Sequence, residues 1–176
     1  QAGVGTLTPR DRFNVIQFNS QTHSLFMQPE VATGNNLARA RQYVDRLRAD
    51  GGTEMAPALS RALEGGGETE DGARVRQVIF ITDGAVGNEA ALFRQIRQQL
   101  GNQRLFTVAI GSAPNRHFMR EAARWGRGTY TAIHSPSDVD GPLQALFSAM
   151  ESPVLTDIGV NWPGQKAGQE SFPRRP

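Results

Sequence analysis

Residues 78–84 read Val78-Ile79-Phe80-Ile81-Thr82-Asp83-Gly84, an apolar run that stops at a carboxylate and a glycine. A strand with one wet face alternates apolar and polar residues. This run does not, so it reads as a parallel strand covered on both faces. Working outward, residues 105–110 form a second such strand ending at Gly111, and residues 128–133 a third. The stretches between them have helical period. Residues 88–100 place Leu92, Ile96 and Leu100 on one stripe, and a second helix runs from the N-cap candidate Asn115 to Trp125. Residues 139–150 repeat the pattern, with Val139, Leu143, Leu146, Phe147 and Met150 facing inward. Strands alternating with helices at this spacing predict an α/β fold: a three-layer, Rossmann-like arrangement with a mainly parallel sheet and helices on both faces.

Upstream, residues 13–18 are β-branched and aromatic after the turn signal Pro9-Arg10-Asp11 and read as a strand, with a shorter one at 24–27. From 36 to 49 the spacing of Leu37, Ala40, Tyr43, Val44 and Leu47 predicts an amphipathic helix, which Gly51-Gly52 ends. A further helix spans 56–63, with Pro57 in its first turn where a missing N–H is harmless. The Gly-rich run 65–72 has neither the Lys nor the preceding strand of a phosphate cradle and reads as a surface linker. One domain is expected over 1–152. Residues 153–162 form a β segment leading into a following unit, and 163–176 a polar tail.

Composition narrows the function. The chain has 176 residues and no Cys, which removes disulfide scaffolds, thiolate metal sites and thiol catalysis. No run of about 18 apolar residues is present to span a membrane. Net charge is only +2, although the pI is near 9.7, because every basic residue except Lys166 is an Arg that stays charged to high pH. Arg and acidic residues alternate, as in Asp45-Arg46-Leu47-Arg48-Ala49-Asp50, the pattern of a solvated helix face and not of a nucleic-acid-binding stripe.

In an open α/β sheet, ligands collect beyond the carboxyl ends of the strands. Three loops there carry polar groups: Gly51-Gly52-Thr53-Glu54, Thr82-Asp83-Gly84 and Gly111-Ser112-Ala113-Pro114-Asn115. A carboxylate and a hydroxyl at one edge suit a hard divalent cation, which takes oxygen donors and shares them with water. The structural alternatives are that Asp83 caps its own turn and Thr53 N-caps the next helix. The usual nucleophile and cofactor-loop signatures of enzymes are missing: no Gly-x-Ser-x-Gly, no Walker A sequence, no Gly-x-Gly-x-x-Gly. A triad from Ser112, His134 and Asp83 has no local support, so an enzyme is not expected. Trp125 and Trp162 read as packing residues at element ends.

The ordered set of residues 11–18, Gly51-Gly52-Thr53, residues 78–84 and residues 106–111 resembles a von Willebrand factor type A domain. It is more narrowly similar to the inter-alpha-trypsin inhibitor heavy chain type and to bacterial sortase-target proteins. That narrower likeness rests on residues 115–119, Gly128-Thr129-Tyr130 and residues 150–162. Such domains carry a metal-ion-dependent adhesion site, in which an Asp-x-Ser-x-Ser run after the first strand is joined by a Thr and an Asp from two further loops. Thr53 and Asp83 match those last two positions. The resemblance implies a cell-envelope, extracytoplasmic module for protein–protein interaction or adhesion. It implies Mg (or Ca or Mn) in the intact domain and a partner's acidic group on the metal.

No Asp-x-Ser-x-Ser occurs in this sequence. The expectation is therefore an N-terminally truncated domain, with its first, central strand and first helix missing and no metal bound by the fragment. The alternative is a scaffolding domain with no working metal site. A missing central strand leaves two strand edges unpaired. Three ways of closing that gap are expected: the flanking strands move together, the 154–162 strand fills it, or a second copy of the chain does.

Overall fold

The computed structural model describes residues 7–48, 50–65, 75–84, 87–111, 115–135 and 138–151. In chain order the elements are β1 (Arg12–Phe13), β2 (Ile16–Phe18), β3 (Thr22–Ser24), β4 (Glu30–Val31), α1 (Gly34–Asp45), α2 (Met55–Leu63), β5 (Gln77–Thr82), α3 (Glu89–Gln99), β6 (Arg104–Ile110), α4 (Arg116–Trp125), β7 (Arg127–Ile133) and α5 (Asp140–Glu151).

The expected parallel sheet is present as β5-β6-β7, with Gln77 opposite Arg104 and Thr82 opposite Ala109. Side chains alternate across it. Phe80, Leu105 and Ala109 join Met55 and Leu59 of α2, Leu92 and Ile96 of α3, and Phe118 and Met119 of α4 in one core. Phe106, Val108 and Ile133 point the other way, onto Leu143, Leu146 and Met150 of α5. β6 is thus buried on both faces, which explains why its sequence lacks alternation. Each fully buried large apolar side chain contributes about 1.5–3 kcal/mol. The one buried hydroxyl on this strand, Thr107 Oγ1, donates to Met119 O at 2.7 Å and so offsets its desolvation.

The N-terminal part differs from the single strand expected at 13–18. Asn14 interrupts it. Its side-chain oxygen accepts from Val15 N (2.9 Å) and Phe26 N (3.0 Å), and its amide donates to Phe26 O (2.9 Å). A side chain thereby takes the place of backbone pairing, and the strand divides into β1, paired antiparallel with β4, and β2, paired antiparallel with β3. The strand expected at 24–27 accordingly ends at Ser24, and β4 had no forecast.

The helix expected over 36–49 starts at Gly34, behind an N-cap in which Thr33 Oγ1 accepts from Asn36 N at 3.3 Å, and stops at Asp45. Only Ala40 of its stripe is fully buried; Val44 and Leu47 remain 47% and 39% exposed. The helix touches β2 through Tyr43 Oη to Gln17 Oε1 (3.2 Å), and the segment between β3 and β4 through the Arg39 guanidinium over the Phe26 ring. Leu37 and Tyr43 are half-buried, and nothing among the described residues covers Val44 and Leu47.

β5 has β6 on one side and no strand on the other among the described residues. Of the three expected closures, the approach of the flanking strands occurs through side chains alone. The Phe18 ring stacks on Phe80 with centroids 5.3 Å apart and planes at 8°, and no ladder joins β2 to β5. Residues 66–72 of the linker, 153–162 and 163–176 lie outside the described residues, as do Ser112-Ala113-Pro114 and Trp162.

β7 is pressed closely on β6 at its start. A methyl group at Gly128 would lie 2.2 Å from Leu105 O, against backbone that cannot yield. Gly128→Ala is therefore expected to cost about 3 kcal/mol, near the top of the usual overpacking range. That corresponds to a Tm lower by roughly 6–12 °C in a chain of this size, read by circular dichroism. Gly141→Ala, in the first turn of α5 with open space around it, is expected to raise stability by up to about 1 kcal/mol.

Candidate functional site

The loop bearing Thr53 owes its shape to the turn between β2 and β3. Gly51 adopts φ +80°, where a side chain would be strained and its Cβ would meet Ser20 Oγ at 2.8 Å. That hydroxyl instead accepts from Gly52 N (2.8 Å), and Asn19 O accepts from Glu54 N (2.9 Å). Asn19 also holds Asp50, its Nδ2 donating to Oδ1 at 3.0 Å. Asn19 and Ser20 had no place in the sequence reading. Their only local signal is a polar turn between two strands, and what it grips lies more than 30 residues away.

Beyond the loop, α2 begins at Met55, whose side chain is buried in the core beside Leu59. Glu54 occupies the N-cap position and makes no side-chain capping bond. Thr53 is thus not the cap of this helix, contrary to the structural alternative weighed above.

The second loop follows β5. Thr82 is buried, and its Oγ1 accepts from Gly84 N at 3.1 Å, so the hydroxyl of Thr82, and not the carboxylate of Asp83, holds the turn. Asp83 is exposed at the carboxyl end of the sheet. The two loops meet: a methyl group at Gly84 would stand 2.8 Å from Thr53 Oγ1 and 3.0 Å from its Cγ2. Glycine is required there by the approach of Thr53, and Asp83 is the next residue. Among the described residues neither Thr53 nor Asp83 spends its side-chain oxygens on a hydrogen bond.

The third loop contributes Gly111, at φ +84° with its N–H donating to Ile133 O (2.8 Å), and Asn115, whose Oδ1 accepts from Phe118 N (3.0 Å) as the expected N-cap of α4. Asn115 Nδ2 also reaches Glu89 at the start of α3. His134 follows β7, separated from Asp83 by the whole of β6, and no hydrogen bond links the two. The triad is not assembled by the described residues. Trp125 ends α4 with the Arg97 guanidinium 3.8 Å above its ring, so it packs at a helix end as expected.

One carboxylate and one hydroxyl are hard donors of the right type for Mg²⁺ or Ca²⁺, but such ions take six or more oxygens. Among the described residues no group of three or more His, Cys, Asp or Glu side chains is placed to hold a metal ion. By number, Thr53 and Asp83 alone do not make a complete cation site.

The parallel sheet with helices on both faces, and polar loops gathered at the strands' carboxyl ends, define a Rossmann-like α/β domain. A family model described as a von Willebrand factor type A domain matches residues 1–132, and the chain belongs to that family. Domains of this family commonly mediate protein–protein interaction. Among similar proteins, a von Willebrand factor A domain-containing protein of Dictyostelium discoideum is 28% identical over 158 residues, covering 89% of this chain and 17% of that protein. Inter alpha-trypsin inhibitor heavy chain 4 of Mus musculus is 29% identical over 167 residues, covering 89% and 18%. The chain thus spans under a fifth of the length of these relatives. A solved von Willebrand factor type A structure from Catenulispora acidiphila aligns with TM-score 0.64 and 28% identity, over 76% of this chain and 32% of that one. The ArnB paralog VWA2 from Sulfolobus acidocaldarius, at 17% identity, TM-score 0.51 and coverages of 83% and 36%, shares the fold.

The contact between the two loops is open to a double-mutant cycle. Gly84→Ala should cost about 1–3 kcal/mol by overpacking, and Thr53→Ala in the same chain should recover at least about half of it. Additive costs in urea unfolding would show that the loops do not touch.

Proposed function

We propose that the carboxyl end of β5 is the recognition face of a non-enzymatic interaction or adhesion module, in which Thr53 and Asp83 are two of the oxygen donors of a divalent-cation site. The acidic group of a protein partner would fill the metal's open position. The observation that carries this reading is the convergence of the two loops. Thr53 packs directly on Gly84, while the structural duties of capping and turn-holding fall to Glu54 and Thr82. That leaves the Thr53 hydroxyl against the turn that carries the exposed Asp83 carboxylate, and hydroxyl and carboxylate oxygens are the donors a hard cation takes. The cation would supply a positive bridge to an anionic partner; the chain's own part is to hold the two oxygens on rigid loops.

Location outside the cytoplasm, at the cell envelope or surface, is part of the same proposal and rests on the likeness to inter-alpha-trypsin inhibitor heavy chains. No helix among the described residues is long and apolar enough to cross a membrane. A scaffolding domain without a working metal site is the second reading, favoured by the short donor set.

Paramagnetic Mn²⁺ separates the two. Added below stoichiometry to the labelled chain, it is expected to broaden the Thr53 and Gly84 amide resonances selectively, with a Kd of about 1 mM or weaker, the weak end for carboxylate sites. Asp83→Ala should abolish the effect. Uniform broadening, or an effect that survives Asp83→Ala, would establish the scaffold instead.

A further inference from the structure

Helices α3 and α4 lie on one face of the sheet, each crossing between parallel strands, and so run side by side in the same direction. Helical period raises a ridge of side chains along each. On α3 the ridge is Ala90, Arg94 and Arg97; on α4 it is His117, Glu121 and Trp125, spaced by four. Between the ridges runs a groove of about 390 Å³, a volume within the range of ligand sites. Phe93 also lines it, half-buried, with its ring packed on Phe118 of the core at 5.0 Å between centroids.

The charges around this groove are unbalanced. The two helices carry five Arg and two Glu. Both carboxylates are already engaged: Glu121 pairs with Arg124 at 3.7 Å, and Glu89 meets His117 at 4.0 Å and accepts from Asn115 Nδ2. Arg94 and Arg97 pair with no carboxylate among the described residues. Arg97 is nonetheless held in place, its guanidinium carbon 3.8 Å from the centroid of the Trp125 ring. Stacking occupies the flat face of a guanidinium and leaves its N–H edge to donate, in a fork that matches a carboxylate. An Arg fixed on a Trp beside an apolar hollow has the composition of an interface hot spot.

We propose that the α3–α4 groove docks an acidic peptide segment of a partner protein. One apolar side chain of the segment lies between Phe93 and Trp125, and its flanking carboxylates accept from Arg97 and Arg94. Charge selects an anion, and the aromatic lining selects one that carries an apolar anchor, which a sulfated glycan lacks. None of these groups belongs to the loops of Thr53 and Asp83, so this docking is independent of any cation held there.

Titration of the full, isotopically labelled chain tests it, with a synthetic peptide of one Leu flanked on each side by Asp-Glu as the probe. The Trp125 indole N–H and the Phe93 amide should shift and saturate with a Kd below about 1 mM. Arg94→Glu combined with Arg97→Glu should weaken binding at least about tenfold. The same charge change on α1, Arg41→Glu with Arg48→Glu, should leave it within about twofold, because exposed charges at a distance are screened. Asp83→Ala and EDTA should change nothing. Unmoved Trp125 and Phe93 signals at millimolar peptide overturn the proposal. So does a loss that the α1 pair matches, marking general charge attraction, or one that Asp83→Ala matches, placing the peptide at the loops instead. Changes in the peptide cover a variant that fails to fold: Gly in place of its Leu, or Asn and Gln in place of its acids, should each weaken binding to the unaltered chain at least about fivefold. Equal affinity for either altered peptide, or for a sulfated oligosaccharide, refutes the anchored acidic segment.

Discussion

The Phe18 ring lying flat on Phe80 joins two halves of the molecule that share no backbone ladder. On one side is the antiparallel β2–β3 ribbon, on the other a parallel sheet with its own core. A stacked aromatic pair is worth about 0.5–1.5 kcal/mol beyond the burial of its area. It is supported by α2, where Arg61 Nε donates to Ser24 Oγ and Nη2 to Met27 O, and by the bond from Glu54 N to Asn19 O. The approach of the Thr53 loop to the turn after β5 rests on this junction. The loop of Thr53 is held by the turn between β2 and β3 and Gly84 follows the sheet strand β5, so the approach of Thr53 to Gly84 is a property of the joint and of neither half.

The parts of the fold that were legible in the sequence are those where burial alone decides the residue types. Residues 105–110 are apolar without alternation because β6 is covered twice, and α4 announced itself through Asn115, which caps it as its position promised. The ribbon was less legible because one side chain does backbone work: nothing in the composition around Asn14 distinguishes an amide that ends a ladder from one that faces water. Likewise the stripe on α1 has the period of a core-facing helix, yet Val44 and Leu47 stay open. Periodicity reports which side of a helix is apolar and not whether a partner is present to cover it.

At the candidate site, the positions of Thr53 and Asp83 after Gly51-Gly52 and after the most continuous strand were readable from the chain. Their division of labour with neighbours was not. Whether Thr82 or Asp83 holds the turn depends on which oxygen can reach Gly84 N, a matter of a few tenths of an ångström that residue types do not encode. The grip of Asn19 and Ser20 on residues 50–54 is a long-range contact between two polar turns, and either turn alone reads as ordinary surface.

That division of labour bears on how such a loop changes over time. Its curvature is set by the Thr82 hydroxyl and its clearance by the absence of a side chain at Gly84, so position 83 carries little of the cost of folding. Substitutions there can change the exposed side chain without eroding the scaffold. Evolution can then vary the surface chemistry at residue 83 while residues 82 and 84 stay constrained on either side of it.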